Sequence, residues 1–148
     1  MKKVLREKHK NEEKWIDMHT LYWNLVASNY DDFYKDKWSQ DENDGITNKL
    51  SWIKTIPNCE ILDLGCGTGL GYQLCHKINP TIKYHGLDIS SEMVRKAKRK
   101  FPNAIFEVGD MANLSGFEEA SLDAVICIFT TFSYTNRPSK VVKETYRI

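Results

Sequence analysis

Three carboxylates, Asp63, Asp88 and Asp110, stand at or near the ends of three short apolar runs, and the first is followed by Gly65, Gly67 and Gly69. The glycines are the more restrictive part. Alternating glycines remove the side chains a sheet packs with and permit positive φ, so the run Ile61-Leu62-Asp63-Leu64 must leave the extended state there. Leu70 to Ile78 then carries apolar residues at helical spacing and stops at Asn79-Pro80. A strand, a glycine turn and a helix aim bare backbone N–H groups and a positive helix end at whatever lies above the sheet. That is a ligand site. Asp88 lies about 20 residues beyond the turn, where an acid can accept hydrogen bonds from both hydroxyls of a ribose.

These residues need a scaffold, and the pattern predicts one. Residues 61–64 read as a strand buried on both faces, as parallel strands in α/β proteins are. Ile82–Leu87 reads as a second strand, followed by Ser90 and Ser91 as N-caps, with Glu92 in the first turn of a helix over Met93–Lys100. Pro102-Asn103 breaks that helix. Ala104–Val108 is a third strand, Leu122–Phe129 a fourth, and Pro138 opens a last helix over Ser139–Arg147. Alternating strands and helices imply right-handed crossovers and a parallel sheet, with the ligand beyond the carboxyl ends of the strands. Upstream, Met1–Lys14 reads as a solvated, frayed helix. Trp15, Met18, Tyr22 and Leu25 recur at helical spacing and predict an apolar stripe facing the domain. Gln40–Gly45 reads as a polar turn and Ile46–Ile56 as a helix.

The glycine spacing discriminates between ligands. A dinucleotide fingerprint, G-x-G-x-x-G, requires glycine where this chain has Leu70, which disfavours a nicotinamide-dependent oxidoreductase, and no Gly-Lys-Ser/Thr follows to make a P-loop. The stretch Asp63-Leu64-Gly65-Cys66-Gly67-Thr68-Gly69 resembles motif I of the class I S-adenosylmethionine-dependent methyltransferases. The resemblance runs from about Glu60 onward. It implies a Rossmann-like α/β sheet in the order 3-2-1-4 with flanking helices over residues 59–148, and a helical lid over residues 1–58. It also implies that Asp63, Gly65, Cys66, Gly67 and Gly69 shape the methionyl end of an S-adenosylmethionine site. Asp88 would hold the ribose, Ile89 and Met93 would flank the adenine, Asp110 and Met111 would read it, and Ile128 would close the far side. Tyr30-Asp31-Asp32-Phe33-Tyr34 is similar to the family's Tyr-Asp-x-x-Tyr lid segment, which nominates Tyr30. Lys140–Ile148 resembles the helix after the fourth strand, from which members continue into a Leu-Lys-Pro-Gly-Gly turn and three further strands. The expectation is therefore a core without the family's C-terminal strands, with the fourth strand's edge covered by a homodimer or a partner chain.

Phe129-Thr130-Thr131-Phe132 replaces the Asn/Asp-Pro-Pro-Tyr of base and glutamine methyltransferases, which leans towards a small-molecule acceptor, with Thr130, Thr131, Ser133 and Tyr134 on its side. The alternative is a non-catalytic module that binds S-adenosylmethionine or its product. No general base is assigned: His85 reads as structural, and His19 has no evident partner. Composition narrows the remainder. A net charge of +1 gives no global field to gather nucleic acid, and the basic run Arg95–Lys100 reads as the solvated end of a helix. The cysteines at 59, 66, 75 and 127 have no metal-ligand spacing and read as reduced thiols of a cytoplasmic protein. No apolar run approaches the ~20 residues of a membrane span.

Overall fold

The computed structural model describes residues 2–148, with side chains at Glu7 and from Lys10 onward. Strand β1 (Glu60–Leu64) lies at the centre of a four-stranded parallel sheet. It pairs on one side with β2 (Lys83–Asp88) and on the other with β4 (Ala124–Ile126); β2 in turn pairs with β3 (Ile105–Val108). The order is β3-β2-β1-β4, as the resemblance implies.

The two-residue period of β1 divides its side chains between two cores. Leu62 and Leu64 pack with Leu87, Leu114 and Val141, the last from helix α5 (Pro138–Arg147). Ile61 faces the other way and packs with Leu50, Ile53 and Cys75. Cys75 comes from α3 (Leu70–Ile78), while Ile53 lies in a 3-10 helix, Ser51–Thr55, that follows α2 (Lys37–Lys49). A third cluster joins Tyr84 and Phe106 to Val94 and Ala97 of α4 (Ser91–Lys100). The cap of α4 forms as read from sequence, with Ser90 Oγ accepting the Met93 N–H at 3.1 Å.

Four local readings need correction. The second strand runs to Asp88, one residue beyond the predicted Leu87, so the carboxylate ends the strand itself. The fourth strand is confined to Ala124–Ile126, not Leu122–Phe129. Its partner β1 turns away at Gly65, and Phe129 takes a φ of 56°, so pairing cannot continue. Gln40–Gly45 is not a turn but part of α2, whose N-cap Asp36 accepts the Ser39 N–H at 2.7 Å; its polarity is that of an exposed helix face. The N-terminal stretch is one helix, α1 (Lys2–Val26), and the predicted stripe is only partly its packing face. Met18, Tyr22 and Leu25 are exposed, while His19, Trp23 and Asn24 turn inward. No helix among the described residues is long and apolar enough to cross a membrane.

Candidate cofactor site

All four strands end on one side of the sheet, and a cleft lies there. One chamber, with about 730 Å³ of empty space, is floored by Gly65 and Gly67 after β1, Asp88 at the end of β2 with Ile89 after it, and Asp110 and Met111 after β3. Thr131, Tyr134 and Arg137, from the segment after β4, form one wall, and Trp15, His19, Trp23 and Tyr30 form the roof. A second chamber of about 990 Å³ is lined by Tyr34, Cys66, Thr68, Lys100, Ile128 and Phe129, among others. Tyr30, Gly65, Gly67 and Thr131 border both chambers and so stand between them.

The glycine turn behaves as its sequence requires. Gly65, Gly67 and Gly69 have φ of 72°, 53° and 93°, a region that side-chain-bearing residues rarely occupy. A Cβ at Gly69 would also lie 2.8 Å from the Phe101 ring, so this glycine serves the packing of the turn and lines neither chamber.

Asp88 is 9% exposed and is engaged on both oxygens: Oδ2 accepts the Gly67 N–H and Oδ1 the Ser90 N–H, each at 2.8 Å. Burial raises its pKa above the ordinary aspartate value, and the two N–H donors oppose that rise. A carboxylate offers about four lone-pair sites, so two remain for hydroxyls in the chamber. Asp110 is held similarly, Oδ1 by the Ala112 N–H at 2.8 Å and Oδ2 by an ion pair with Arg137.

Asp63 lies elsewhere. It is fully buried beneath the turn on the α3 face of β1, lines neither chamber, and accepts a hydrogen bond from the Tyr84 hydroxyl on Oδ2. Its Oδ1 has no partner among the described residues, and burial pushes its pKa up to about 7. The remaining nominated residues do gather at the cleft: Gly65, Gly67, Asp88, Ile89, Met93, Asp110, Met111 and Tyr30 in the first chamber, Cys66 and Ile128 in the second. Burial raises the Cys66 thiol well above its usual pKa, which makes it a wall rather than a nucleophile.

The roof was less legible. Trp15 stacks on His19 at 3.5 Å between ring centroids, and Trp23 meets Tyr134 at 5.2 Å and Tyr30 at 6.1 Å. His19 Nδ1 lies 2.9 Å from the Trp15 carbonyl, so the partner that sequence could not supply is its own helix. Of the expected acceptor-side residues, Thr131 and Tyr134 reach the cleft, whereas Thr130 and Ser133 line neither chamber.

Two sets of contacts fasten this N-terminal segment to the core. Asn24 Oδ1 accepts from Ser90 Oγ at 2.7 Å and from the Glu92 N–H at 3.2 Å. Asp31, in the 3-10 helix Ala27–Tyr34, accepts from Thr68 Oγ1 and from Lys100 Nζ at 3.2 Å. Lys96 Nζ donates to the carbonyls of Ala27 and Ser28 at 2.7 and 2.9 Å. Much of the basic run on α4 is thus used internally. Among the described residues, no group of His, Cys, Asp and Glu side chains is arranged to hold a metal ion.

A glycine turn on the chamber floor, with an acid at or just beyond the end of each of the next two strands, is the arrangement of the class I S-adenosylmethionine-dependent methyltransferases. The chain belongs to that class: a family model described as a methyltransferase domain matches residues 61–148. It is 34% identical over 89 residues to a demethylmenaquinone methyltransferase of Thermotoga maritima, covering 60% of this chain and 38% of that protein. It is 35% identical over 72 residues to a trans-aconitate 2-methyltransferase of Escherichia coli, covering 48% and 28%. Among solved structures it resembles the PH0226 protein of Pyrococcus horikoshii, with a TM-score of 0.65, 28% identity and coverage of 77% and 54%. The fold also matches S-adenosylmethionine-bound CalS10, an amino pentose methyltransferase of Micromonospora echinaspora, with a TM-score of 0.59, 24% identity and coverage of 78% and 48%. The chain therefore spans about two-fifths or less of these curated relatives and about half of these solved structures.

Proposed function

We propose that this chain binds S-adenosylmethionine across the strand ends and presents its methyl group to a small-molecule acceptor. The observation that carries the reading is Asp88, a buried carboxylate on the chamber floor that is hydrogen-bonded to the glycine turn and retains acceptor capacity towards the cavity. In this reading Asp88 takes the ribose hydroxyls, and Ile89 and Met93 offer apolar and thioether surface to the adenine face. Asp110 and Met111 meet the adenine edge. Gly65, Cys66, Gly67 and Ile128 border the methionyl portion, while Asp63 supports the turn from below. Residues 1–58 serve as the lid and residues 59–148 as the cofactor-binding core.

The cofactor supplies a methyl group already activated by its sulfonium. What remains for the protein is alignment and the exclusion of water. Tyr30, Trp15 and Trp23 close the roof, and Tyr30 with Thr131 borders the passage to the second chamber, which has room for an acceptor. Three features support a small molecule: the names of the relatives above, the Phe129-Thr130-Thr131-Phe132 stretch, and the internal use of Lys96 and Lys100. Four free cysteines suit a reducing cytoplasm.

Calorimetric titration with S-adenosylmethionine and S-adenosylhomocysteine tests the reading, with Asp88→Ala as the comparison. Loss of the buried carboxylate should weaken binding by up to about a hundredfold. A folded wild-type chain that binds neither ligand would refute the assignment. Methyl transfer across an acceptor panel then separates an enzyme from a binding module, since a pure binder transfers nothing at saturation.

A further inference from the structure

Arg137 stands at the start of α5 and is not among the residues nominated from sequence, yet it lines the first chamber beside Asp110 and Met111. Its side chain is 19% exposed, and among the described residues its guanidinium has a single hydrogen-bonding partner, Asp110 Oδ2. Its Nε is enclosed without any acceptor. A guanidinium carries five N–H donors, and leaving charged donors unpaired in an enclosed site costs more than leaving neutral ones. Among the described residues Asp110 alone answers this cation, so the placement of Arg137 is tied to that carboxylate.

The geometry points to Arg137 as a positioning residue that fixes the Asp110 carboxylate as the acceptor for the exocyclic amine of the bound adenine. The inference rests on the cofactor reading above. An aspartate side chain rotates about two bonds, and the Ala112 N–H constrains only one of its oxygens. Arg137 holds the second, so the carboxylate plane has one setting. An ionised carboxylate only accepts hydrogen bonds, which matches the two donors of a 6-amino group. Sequence neighbours hide this pairing, because Arg137 and Asp110 come from opposite edges of the sheet, after β4 and β3 respectively.

The test compares two ligands on one protein. S-adenosylhomocysteine and its analogue bearing purine in place of adenine differ only by the exocyclic amine. Their dissociation constants are measured by calorimetry for wild type, Arg137→Met and Arg137→Lys, with thermal melts to verify folding. Wild type should prefer the adenine ligand by roughly tenfold or more, as expected for a hydrogen bond to a charged acceptor. Arg137→Met should reduce that preference to within about threefold, and Arg137→Lys should restore part of it, because lysine supplies the charge without the planar fork. Should both ligands weaken equally in Arg137→Met, with the preference intact, the residue is merely structural and the inference is overturned. If Arg137→Met does not fold, the lysine variant decides: an undiminished preference there, despite loss of the fork, equally counts against positioning. Wild type binding neither ligand would instead remove the cofactor reading itself, and this inference with it.

Discussion

The Gly67 N–H donates to Asp88 Oδ2 at 2.8 Å, so the turn after β1 is tied directly to the last residue of β2. The other oxygen of the same carboxylate accepts from Ser90, which caps α4. One side chain therefore sets the height of the chamber floor and the start of the neighbouring helix.

Replacing this carboxylate by its amide separates charge from shape. Asp88→Asn retains one acceptor oxygen but turns an N–H₂ group towards a backbone N–H. We expect S-adenosylhomocysteine to bind at least about tenfold more weakly, with a smaller change in melting temperature than in Asp88→Ala. Because burial raises the pKa of Asp88, the wild-type affinity should also decline on acidification, starting at a higher pH than an exposed aspartate would produce. Calorimetry at a series of pH values checks both points. An affinity that is flat with pH and unchanged in the amide would remove Asp88 from the site.

Asp63 controls stability in the opposite sense from an ordinary ion-paired aspartate. Its pKa in the fold is about 7, against a reference value of 3.8. Between those values the folded chain holds a proton that the unfolded chain has lost, so this group's contribution falls as pH rises and is gone above about 7. The shift corresponds to roughly 3–5 kcal/mol across the window. Asp63→Asn, which can still accept from Tyr84, should flatten that slope in urea denaturation. Identical slopes in wild type and variant would contradict the assignment.

Two glycine-to-alanine changes within helices should differ in sign. A Cβ at Gly71 would overlap Asp63 Oδ2 and lie 2.9 Å from the Tyr84 hydroxyl oxygen, so overpacking outweighs the gain in helix propensity, and a net loss of about 1–3 kcal/mol is expected. Gly45, inside α2, has nothing within 4 Å of the same position. Gly45→Ala should stabilise by about 0.5–1 kcal/mol. Chemical denaturation of both variants measures the contrast.

The contacts of Asp31 hold the roof down. Hydrogen bonds from Thr68 and Lys100, with Lys96 also nearby, lower its pKa despite partial burial. Asp31→Ala should speed limited proteolysis within residues 27–37 and leave the sheet resistant. Raising the salt concentration should have the same direction of effect on wild type, since these groups are partly exposed and subject to screening. Equal cleavage rates in wild type and variant would show that the segment is held by other contacts.

Much of the core was legible because adjacent residues encode it. The glycine spacing, the capping serines and the acids at or near the ends of three strands are local signals; the alternation of strands with helices implies the parallel sheet, and the resemblance to the family implies its order. The roof is different. Met18, Tyr22 and Leu25 form as regular an apolar stripe as a sequence can show, yet α1 turns His19, Trp23 and Asn24 inward, because Asn24 caps α4 and Trp23 meets Tyr134. That choice depends on partners more than 60 residues away. Asp63 illustrates the same limit in reverse: its motif position was evident, but only the two-residue period of β1 and the Tyr84 hydroxyl explain why it lies under the turn and not in the chamber. Arg137 carried no local signal, since its partner belongs to a different strand end.

The fastening of the roof also has a kinetic side. Strands β1, β2 and β3 follow one another closely along the chain and pair in that order, whereas β4 returns to β1 from Ala124 to Ile61, Asn24 reaches Ser90 across 66 residues and Asp31 reaches Lys100 across 69. Closing such long loops carries the larger entropic cost, and it is recovered only once the surface they dock on exists. The β1-β2-β3 part of the sheet should therefore form first, with β4 and the roof settling afterwards, so that during refolding the ability to hold a ligand lags behind the first appearance of the sheet.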